Sequence, residues 1–322
     1  MNRAKAVFIT RSDISWYSRN ANVYRKALEV ATKYNATLYV PEYCRVPSEI
    51  AEKCFEIVRF RRVRDVLGHR CRGAEGMGDV KVFTGFDFPC MYVGWRFKKK
   101  YGCHWTVFLW DPPGLSHRDG FSPLRWVIDA VFRFFVRRCD KLILNIHPGL
   151  LDEIGYKPQD GQLELRMQDA FEGGDFNCDK DDVAVEWDFG VLSNWSKAKG
   201  SDLVERALSS LPGRRCLWIG ESHDKRQNGQ IDFAGHLPQE EAFAMLRKCR
   251  VLVVPYLSTR ALKWNYPLKL FEYLSIGRPI LASDNPGNVA VAKRYEGRIA
   301  LFKSGDADDM ASKALDLLGS KS

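Results

Sequence analysis

The sequence lacks the features that mark secreted or membrane-spanning proteins. Its nine cysteines are scattered and form neither a C-x-x-C pair nor a Cys/His cluster at the spacing of a zinc site. This pattern favours reduced thiols over disulfides or a structural metal. The N-terminus leads straight into an apolar strand of about five residues, which is too short for a signal peptide, and no apolar run approaches the roughly 20 residues of a spanning helix. We therefore expect a cytoplasmic protein.

Glycine is missing from the first turn of the chain. The residue pattern predicts a strand at 6–10, a helix at 21–34 and a strand at 37–40, and such a start is typical of a parallel, doubly wound sheet. A dinucleotide-binding fold of this kind needs G-x-G-x-x-G in that turn. The sequence therefore argues against NAD binding. Further strands are predicted at 80–84, 106–110 and 141–146, the last of which would close the first domain.

The length of 322 residues suits two domains of ordinary size. Between 169 and 188 the chain holds eight acidic residues and one lysine, a composition typical of a linker. We place the first domain at 1–165, an acidic linker at 166–182 and the second domain at 183–322. Strands of the second domain are predicted at 183–187, 216–219 and 251–255.

Positive charge is concentrated in the first half of the chain. The net charge is +9, and residues 1–160 hold 27 Lys or Arg against 17 Asp or Glu. Two basic clusters, at 59–72 and 98–100, contribute to this excess. Such an imbalance indicates an anionic partner on one domain: membrane phospholipid, a lipid-phosphate acceptor or nucleic acid. Composition alone leaves the three open.

A predicted helix at 122–139 has an unusual composition. Arg125, Asp129, Arg133 and Arg137 recur at every fourth position as one narrow polar stripe, while apolar and aromatic residues cover the rest. One interpretation is a nearly buried helix of the doubly wound fold. The other is a helix whose aromatic face enters a membrane while the arginines at its end meet lipid phosphates.

The stretch from 266 to 282, Y-P-L-K-L-F-E-Y-L-S-I-G-R-P-I-L-A, predicts a helix followed by a buried strand. Pro267 suits the first helical position and Gly277 the left-handed residue after the last turn. The helix could simply be packed in an α/β domain, with Lys269 and Glu272 on its solvated side. Alternatively, its free N–H groups and Lys269 could bind a diphosphate, and Glu272 a ribose diol.

This stretch closely resembles the nucleotide-sugar-binding segment of GT-B glycosyltransferases related to family 4, P-x-K-x-x-E-x-x-x-x-G-x-P. In that family the glutamate binds the nucleotide ribose and the helix start receives the diphosphate. Other segments resemble family elements in the family order, over roughly 183–318. These segments are 189–193 with 199–203, then 217–220, 233–238 and 251–255.

The resemblance implies an α/β GT-B fold, with two doubly wound Rossmann-like domains facing a central cleft. The first domain would bind the acceptor and the second the nucleotide sugar, without a cofactor or a metal. Two positions depart from the family pattern. Val191 stands where the family has a phosphate-binding Arg, for which Lys197, Lys199 or Arg260 could substitute. Trp264 stands where many retaining members have an acid that touches the donor sugar.

Candidate site residues follow from the motifs and the predicted strand ends. Lys199 and Lys269 are candidates for stabilising the leaving diphosphate, and Asp13 or Asp111, with His117 third, for taking the acceptor proton. No D-x-D pair stands at a strand end, because Asp179 and Asp181 lie in the acidic linker. The donor-binding candidates are Ser193, Lys197, Gly220, Leu237, Arg260, Tyr266, Pro267, Leu268 and Glu272. The acceptor-binding candidates are Ser12, Trp16 and Arg19.

The sequence thus predicts a glycosyltransferase that moves a sugar from a nucleotide-diphosphate sugar to an acceptor. The basic first half and the aromatic helix suggest a lipid-linked or polysaccharide-related acceptor, and a peripheral position on the inner face of a membrane. One alternative is a nucleotide-sugar 2-epimerase of the same fold. Another is a non-catalytic protein that binds anions or nucleic acid, although no nucleic-acid motif is present.

Overall fold

The chain forms two compact units, residues 1–167 and 168–322. Each is built on one parallel sheet with helices between successive strands. The computed structural model describes residues 4–12, 14, 22–67, 79–112, 123–167, 183–221 and 229–319.

The first unit contains a seven-stranded parallel sheet in the order β3-β2-β1-β4-β5-β6-β7. Its strands are β1 (Lys5–Ile9), β2 (Asn35–Pro41), β3 (Glu56–Phe60), β4 (Lys81–Thr84), β5 (His104–Leu109), β6 (Lys141–Leu144) and β7 (Leu163–Leu165). Its α-helices are α1 (Asn22–Lys33), α2 (Ser48–Ala51), α3 (Phe88–Tyr101), α4 (Pro123–Val136) and α5 (Gly149–Glu153). The strand order reverses direction at β1, so the predicted doubly wound arrangement is confirmed.

The core of the first unit is closely packed around Trp105 in β5. This side chain is fully buried, and its Nε1 donates a hydrogen bond of 3.0 Å to Thr84 Oγ1 in the neighbouring β4. Helix α3 crosses directly above it at Gly94, where a Cβ atom would lie 2.3 Å from Trp105 Nε1. Only glycine fits there, which fixes how closely α3 approaches the sheet.

The second unit contains a six-stranded parallel sheet in the order β10-β9-β8-β11-β12-β13. Its strands are β8 (Trp187–Leu192), β9 (Cys216–Ile219), β10 (Ile231–Gly235), β11 (Cys249–Val254), β12 (Ile280–Ser283) and β13 (Ile299–Phe302). Its α-helices are α6 (Ser201–Ser209), α7 (Gln239–Leu246), α8 (Arg260–Lys263), α9 (Leu268–Ile276), α10 (Pro286–Arg294) and α11 (Ala307–Gly319). The strand order reverses at β8.

Two strand predictions were wrong. The first strand of the second unit begins at Trp187 rather than at 183, because the buried positions Phe189 and Val191 follow it, whereas Val185 is 44% exposed. Strand β6 does not close the first sheet, since β7 pairs with it in parallel. The edge strand β7 has only three residues and no buried position, so it lacks the apolar run that sequence patterns detect.

None of the helices that the structure describes is both long enough and apolar enough to cross a bilayer.

A cluster of charges joins α1 to the end of the first unit. Glu29 of α1 lies 3.2 Å from Lys26 Nζ and 2.9 Å from Nη1 of Arg166, a residue that the sequence assigned to the linker. Burial raises the pKa of Glu29, but Lys26, Arg166 and Lys33 outweigh this effect and lower the pKa to about 2. The folded state therefore holds Glu29 ionised far below the pH at which an unfolded chain would protonate it.

We expect Glu29→Gln to destabilise the protein at pH 7 by about 2 kcal/mol. The pKa is lower in the folded state, so this contribution is present above the unfolded value of 4.5 and disappears as the pH falls towards 2. Urea midpoints at pH 7, 5 and 3.5 should therefore converge for the wild type and the variant. Glu52→Gln, at an exposed site in the same unit, should change stability little at any pH. A gap between wild type and Glu29→Gln that does not shrink with pH would contradict the assignment.

Candidate functional site

The carboxyl ends of β9, β8 and β11 meet where the strand order of the second sheet reverses. Ligands of doubly wound sheets bind at such a switch point, outside the carboxyl ends of the strands. Two of the predicted donor-binding residues stand there, Ser193 directly after β8 and Gly220 directly after β9. The loop that follows β11 leads into α8 and then α9.

The ends of β8 and β9 are joined by hydrogen bonds and lie in close backbone contact. Ser193 N donates to Ile219 O at 2.9 Å, and Trp218 Nε1 donates to Ser193 O at 2.6 Å. Gly220 has a φ of 144°, and a Cβ on it would lie 2.2 Å from Ser193 O. A side chain at position 220 would therefore force these strand ends apart.

Helix α9 begins one residue later than the sequence suggested. Pro267 is the N-cap, with φ −63° and ψ 126°, and its carbonyl accepts the first helical hydrogen bond from Leu270 N at 3.0 Å. No side chain of Pro267 caps the helix, so the N–H groups at Leu268 and Lys269 precede the first intrahelical donor. Gly277 ends the helix with φ 83°, as expected. The start of α9 is therefore suited to an anion.

Glu272 lies one turn inside this helix and is only 4% exposed. Its Oε2 is 2.9 Å from Lys269 Nζ, and its Oε1 accepts from Gln239 Nε2 of α7 at 3.5 Å. The interpretation that places Glu272 on a solvated face is therefore wrong. A carboxylate at this depth needs a compensating charge, and Lys269 supplies it.

Tyr273, the next residue of α9, ties the helix to the end of β8. Its hydroxyl accepts a hydrogen bond of 2.7 Å from Leu192 N, the last residue of that strand. Burial raises the pKa of Tyr273 well above its usual value, so the hydroxyl stays neutral. This bond fixes α9 to the end of β8, beside Ser193.

Lys199 lies in a short 3₁₀ turn between β8 and α6, with its Nζ 4.2 Å from the centre of the Tyr256 ring. Tyr256 follows β11, and its carbonyl accepts from Ser283 Oγ at 2.7 Å and from Asn285 Nδ2 at 3.0 Å. The sequence analysis missed Tyr256, Ser283 and Asn285, all of which are buried. For Asn285 the available signal was the D-N-P-G-N run at 284–288, which is typical of a turn before a helix.

The remaining predicted donor-binding residues surround this edge less closely. Lys197 is exposed in the 3₁₀ turn, Leu237 is half-buried after β10, and Arg260 is half-buried at the start of α8. Tyr266 is buried, and burial raises its pKa. Val191, which stands where the family has an arginine, is 1% exposed within β8, so this position belongs to the core.

The carboxyl edge of the first sheet contains two of the acceptor-side candidates. Ser12 follows β1, where its N–H donates to Thr10 Oγ1 at 3.1 Å, and Asp111 follows β5. Between them in the sheet, Asp87 caps α3 by accepting from Cys90 N at 3.1 Å, and burial raises its pKa. Sequence analysis missed Asp87, although D-x-P is a helix-start signal. Asp13, Trp16, Arg19 and His117 lie outside the described residues.

Within the described ranges, no group of three His, Cys, Asp or Glu side chains could hold a metal ion. Asp179 and Asp181 lie outside those ranges.

Comparison with known proteins agrees with this geometry. Residues 188–320 match the sequence model of the family described as Glycosyl transferases group 1. None of the curated proteins matches the chain.

Solved structures resemble the chain over nearly its whole length. HepE from Anabaena, crystallised with UDP-glucose, has a TM-score of 0.70 at 13% identity, covering 98% of this chain and 90% of its own. A glycosyltransferase from Rickettsia africae has a TM-score of 0.66 at 11% identity, covering 99% and 90%. The lipopolysaccharide outer core galactosyltransferase WaaB has a TM-score of 0.63 at 13% identity, covering 97% of this chain and 90% of its own. The resemblance and the α/β GT-B fold are thereby confirmed.

We expect Tyr273→Phe to destabilise the protein by about 1 to 3 kcal/mol, because it leaves the Leu192 N–H buried without an acceptor. Chemical denaturation followed by fluorescence measures the loss. Tyr256→Phe is the matched control: it removes a hydroxyl from another buried tyrosine of this edge without breaking the bond to Leu192. Equal stabilities of the two variants would show that the bond to Leu192 contributes nothing.

Proposed function

We propose that this chain, which carries the group 1 glycosyl transferase pattern at residues 188–320, transfers a sugar from a nucleotide-diphosphate sugar to an acceptor. One observation carries the proposal: the buried carboxylate of Glu272 lies one turn inside a helix whose N-terminus has no side-chain cap. The resemblance assigns the ribose to this glutamate and the diphosphate to the helix start.

The site contains the charges that such a donor needs. Lys269 pairs with Glu272, and the Lys269 side chain is 31% exposed. When a ribose diol donates its hydrogen bonds to Glu272, the ammonium group is able to turn towards the diphosphate at the helix start. The ion pair would thus keep a buried carboxylate available until the donor arrives.

Departure of the nucleoside diphosphate is the step that needs electrostatic help. Negative charge builds on the leaving group as the glycosidic bond breaks, and cations placed beforehand to meet it stabilise the transition state by several kcal/mol. Lys269 and the α9 N–H groups are the first candidates. Lys199 is the second, because its position over the Tyr256 ring restricts where its ammonium lies.

Acid–base chemistry would fall to the first unit. If the reaction inverts the anomeric centre, a carboxylate must take the proton of the acceptor hydroxyl. Asp111 stands after β5 at the carboxyl edge and is the described candidate, with Asp13 as the other. If the reaction retains the configuration, these residues orient the acceptor instead. Trp264 stands where many retaining members have an acid, which weakens any assignment to a retaining mechanism.

The chemistry is proposed to be metal-independent, since lysines and a helix start take the role that a cation has elsewhere. The acceptor is proposed to be lipid-linked or related to a surface polysaccharide. The positive charge of residues 1–160 supports this part of the proposal, because such acceptors are presented at anionic membrane surfaces. The enzyme would then work in the cytoplasm, peripherally on the inner face of a membrane.

Nucleotide binding is the first test. UDP, GDP, ADP, TDP and CMP are added separately to the purified protein, and the melting temperature is followed. A ligand at 100 times its Kd adds about 2.7 kcal/mol of stability, which is readily measured. We expect one diphosphate to raise the melting temperature and Glu272→Gln to weaken its binding about 10- to 100-fold, through loss of charge-assisted hydrogen bonds.

The control for this test is Glu240→Gln, at an exposed position in the first turn of α7. It should bind the same nucleotide as the wild type does. The donor site would be misassigned if no nucleotide stabilised the wild type, or if both glutamine variants bound equally well.

Metal independence is tested by adding EDTA to the enzyme with the donor identified in this way. Release of the nucleoside diphosphate should continue at an unchanged rate, because lysines and helix N–H groups hold the leaving group. Activity that EDTA abolishes and Mg²⁺ or Mn²⁺ restores would instead require a metal in the mechanism.

A further inference from the structure

Three residues of the polar stripe of α4 contact other parts of the first unit. Asp129 is 8% exposed, Arg125 Nη2 lies 2.5 Å from Glu153 of α5, and Arg133 Nη1 donates to Ile154 O at 2.6 Å. The stripe expected from the sequence is therefore used for packing against the segment around α5. These three residues have polar partners within the protein, whereas Arg137, the fourth residue of the stripe, is exposed.

Beside this stripe, α4 exposes large apolar side chains to solvent. Trp126 is 71% exposed, Val127 50% and Phe134 39%. Phe132 and Phe135 point into the core, at 0% and 7% exposure. An exposed tryptophan and phenylalanine along one helix face are costly in water and common on surfaces that meet another phase.

The apolar face continues onto α3 and is bordered by cations. Trp95 of α3 packs edge-on against Phe134 at 5.6 Å between ring centres. Arg138 lies over the Phe134 ring at 3.6 Å, and Lys99 lies over the Trp95 ring at 5.8 Å. Together with Trp126 and the exposed Arg137, these residues make up what we term the α3–α4 surface.

An open cavity of about 630 Å³ lies at the ends of α3 and α4, between Trp95 and the cations Lys99, Arg137 and Arg138. Lys98 also lines it, but is paired with Asp140 at 2.6 Å. Asp160 lines the cavity as well, so the three cations Lys99, Arg137 and Arg138 face it together with one further acid, and the balance stays positive. A cavity of this size with one aromatic wall and three cations suits a phosphate-bearing headgroup.

We infer that the α3–α4 surface docks the first unit onto a bilayer that contains anionic phospholipid. Trp126 and Phe134 enter the interfacial region, while Lys99, Arg137 and Arg138 bind headgroup phosphates. Stacking of Arg138 on Phe134 and of Lys99 on Trp95 places cation and ring at neighbouring depths, as an interface between headgroups and acyl chains requires. A protein partner would have to bring complementary acids to the same cations.

The position of α4 relates the docking surface to the carboxyl edge of the first sheet. The helix follows β5 and precedes β6, so it starts on the carboxyl side of the sheet and ends on the amino side, over about 20 Å. Trp126 thus lies at the end of α4 nearer the edge that holds Asp111. This inference rests on the proposed function, because a lipid-linked acceptor explains why that edge should lie close to a bilayer.

Vesicle co-sedimentation tests the inference. The purified protein is mixed with phosphatidylcholine vesicles, with and without phosphatidylglycerol. We expect binding to the anionic vesicles that weakens as salt rises. Arg137→Gln/Lys99→Gln should weaken it roughly 30-fold, and Trp126→Ser roughly 10-fold.

Matched controls distinguish binding through this surface from nonspecific electrostatic or hydrophobic binding to vesicles. Arg45→Gln/Lys53→Gln removes two exposed cations elsewhere in the first unit, and Phe55→Ser removes an aromatic ring that is 63% exposed. Both should bind anionic vesicles nearly as the wild type does. The assignment of the docking surface would be wrong if the wild type did not bind anionic vesicles, the result expected if the surface binds a protein partner instead. It would also be wrong if the control variants lost as much vesicle binding as Arg137→Gln/Lys99→Gln and Trp126→Ser.

Nucleotide-induced stabilisation is measured on the same variants. Trp126→Ser and Arg137→Gln/Lys99→Gln should keep the full melting shift with the nucleoside diphosphate, which also shows that they fold. A protein that bound vesicles without responding to any nucleotide would refute the proposed transferase and leave the docking surface standing. A protein that responded to a nucleotide but did not bind vesicles would refute the docking surface alone.

Discussion

Glu272 is 4% exposed, and at that depth an ionised carboxylate is stable only beside a compensating charge. Lys269 provides that charge from the preceding turn of α9, at 2.9 Å. The pair keeps its geometry only if α9 is fixed relative to the sheet, and the bond from Leu192 N–H to the Tyr273 hydroxyl fixes it at the end of β8. The proposed donor site depends on these two contacts.

The same edge shows how backbone packing prepares a ligand site. Gly220 allows the ends of β8 and β9 to approach within backbone contact, and Gly200 does the same beside β11, where a Cβ would lie 2.0 Å from Pro255 O. These contacts join the turn that carries Lys199 to the loop that carries Tyr256. The cation is thus positioned by glycine packing before any ligand binds.

Charge is used differently in the two units. In the first, some cations are satisfied internally, as in the cluster of Glu29, Lys26 and Arg166, while Lys99 and Arg137 remain exposed. In the second, the cations of interest lie at the strand ends where an anionic donor would bind. The net charge of +9 therefore combines groups of cations that have different surroundings and different roles.

Local patterns in the sequence were sufficient for the parallel sheets, the bounds of α9 to within one residue, and the role of Gly277, because capping residues and apolar runs act over a few neighbouring positions. They failed for β7, which is too short to have a periodicity, and for Tyr256 and Asn285, whose partners are distant in the chain. Asp87 was missed although its signal is local, since it caps α3 through Cys90, three residues away. Local patterns also did not decide which face of α4 packs against the rest of the first unit. Helical spacing shows which residues share a face, but only packing against α5 determined that Asp129 turns inward and Trp126 outward.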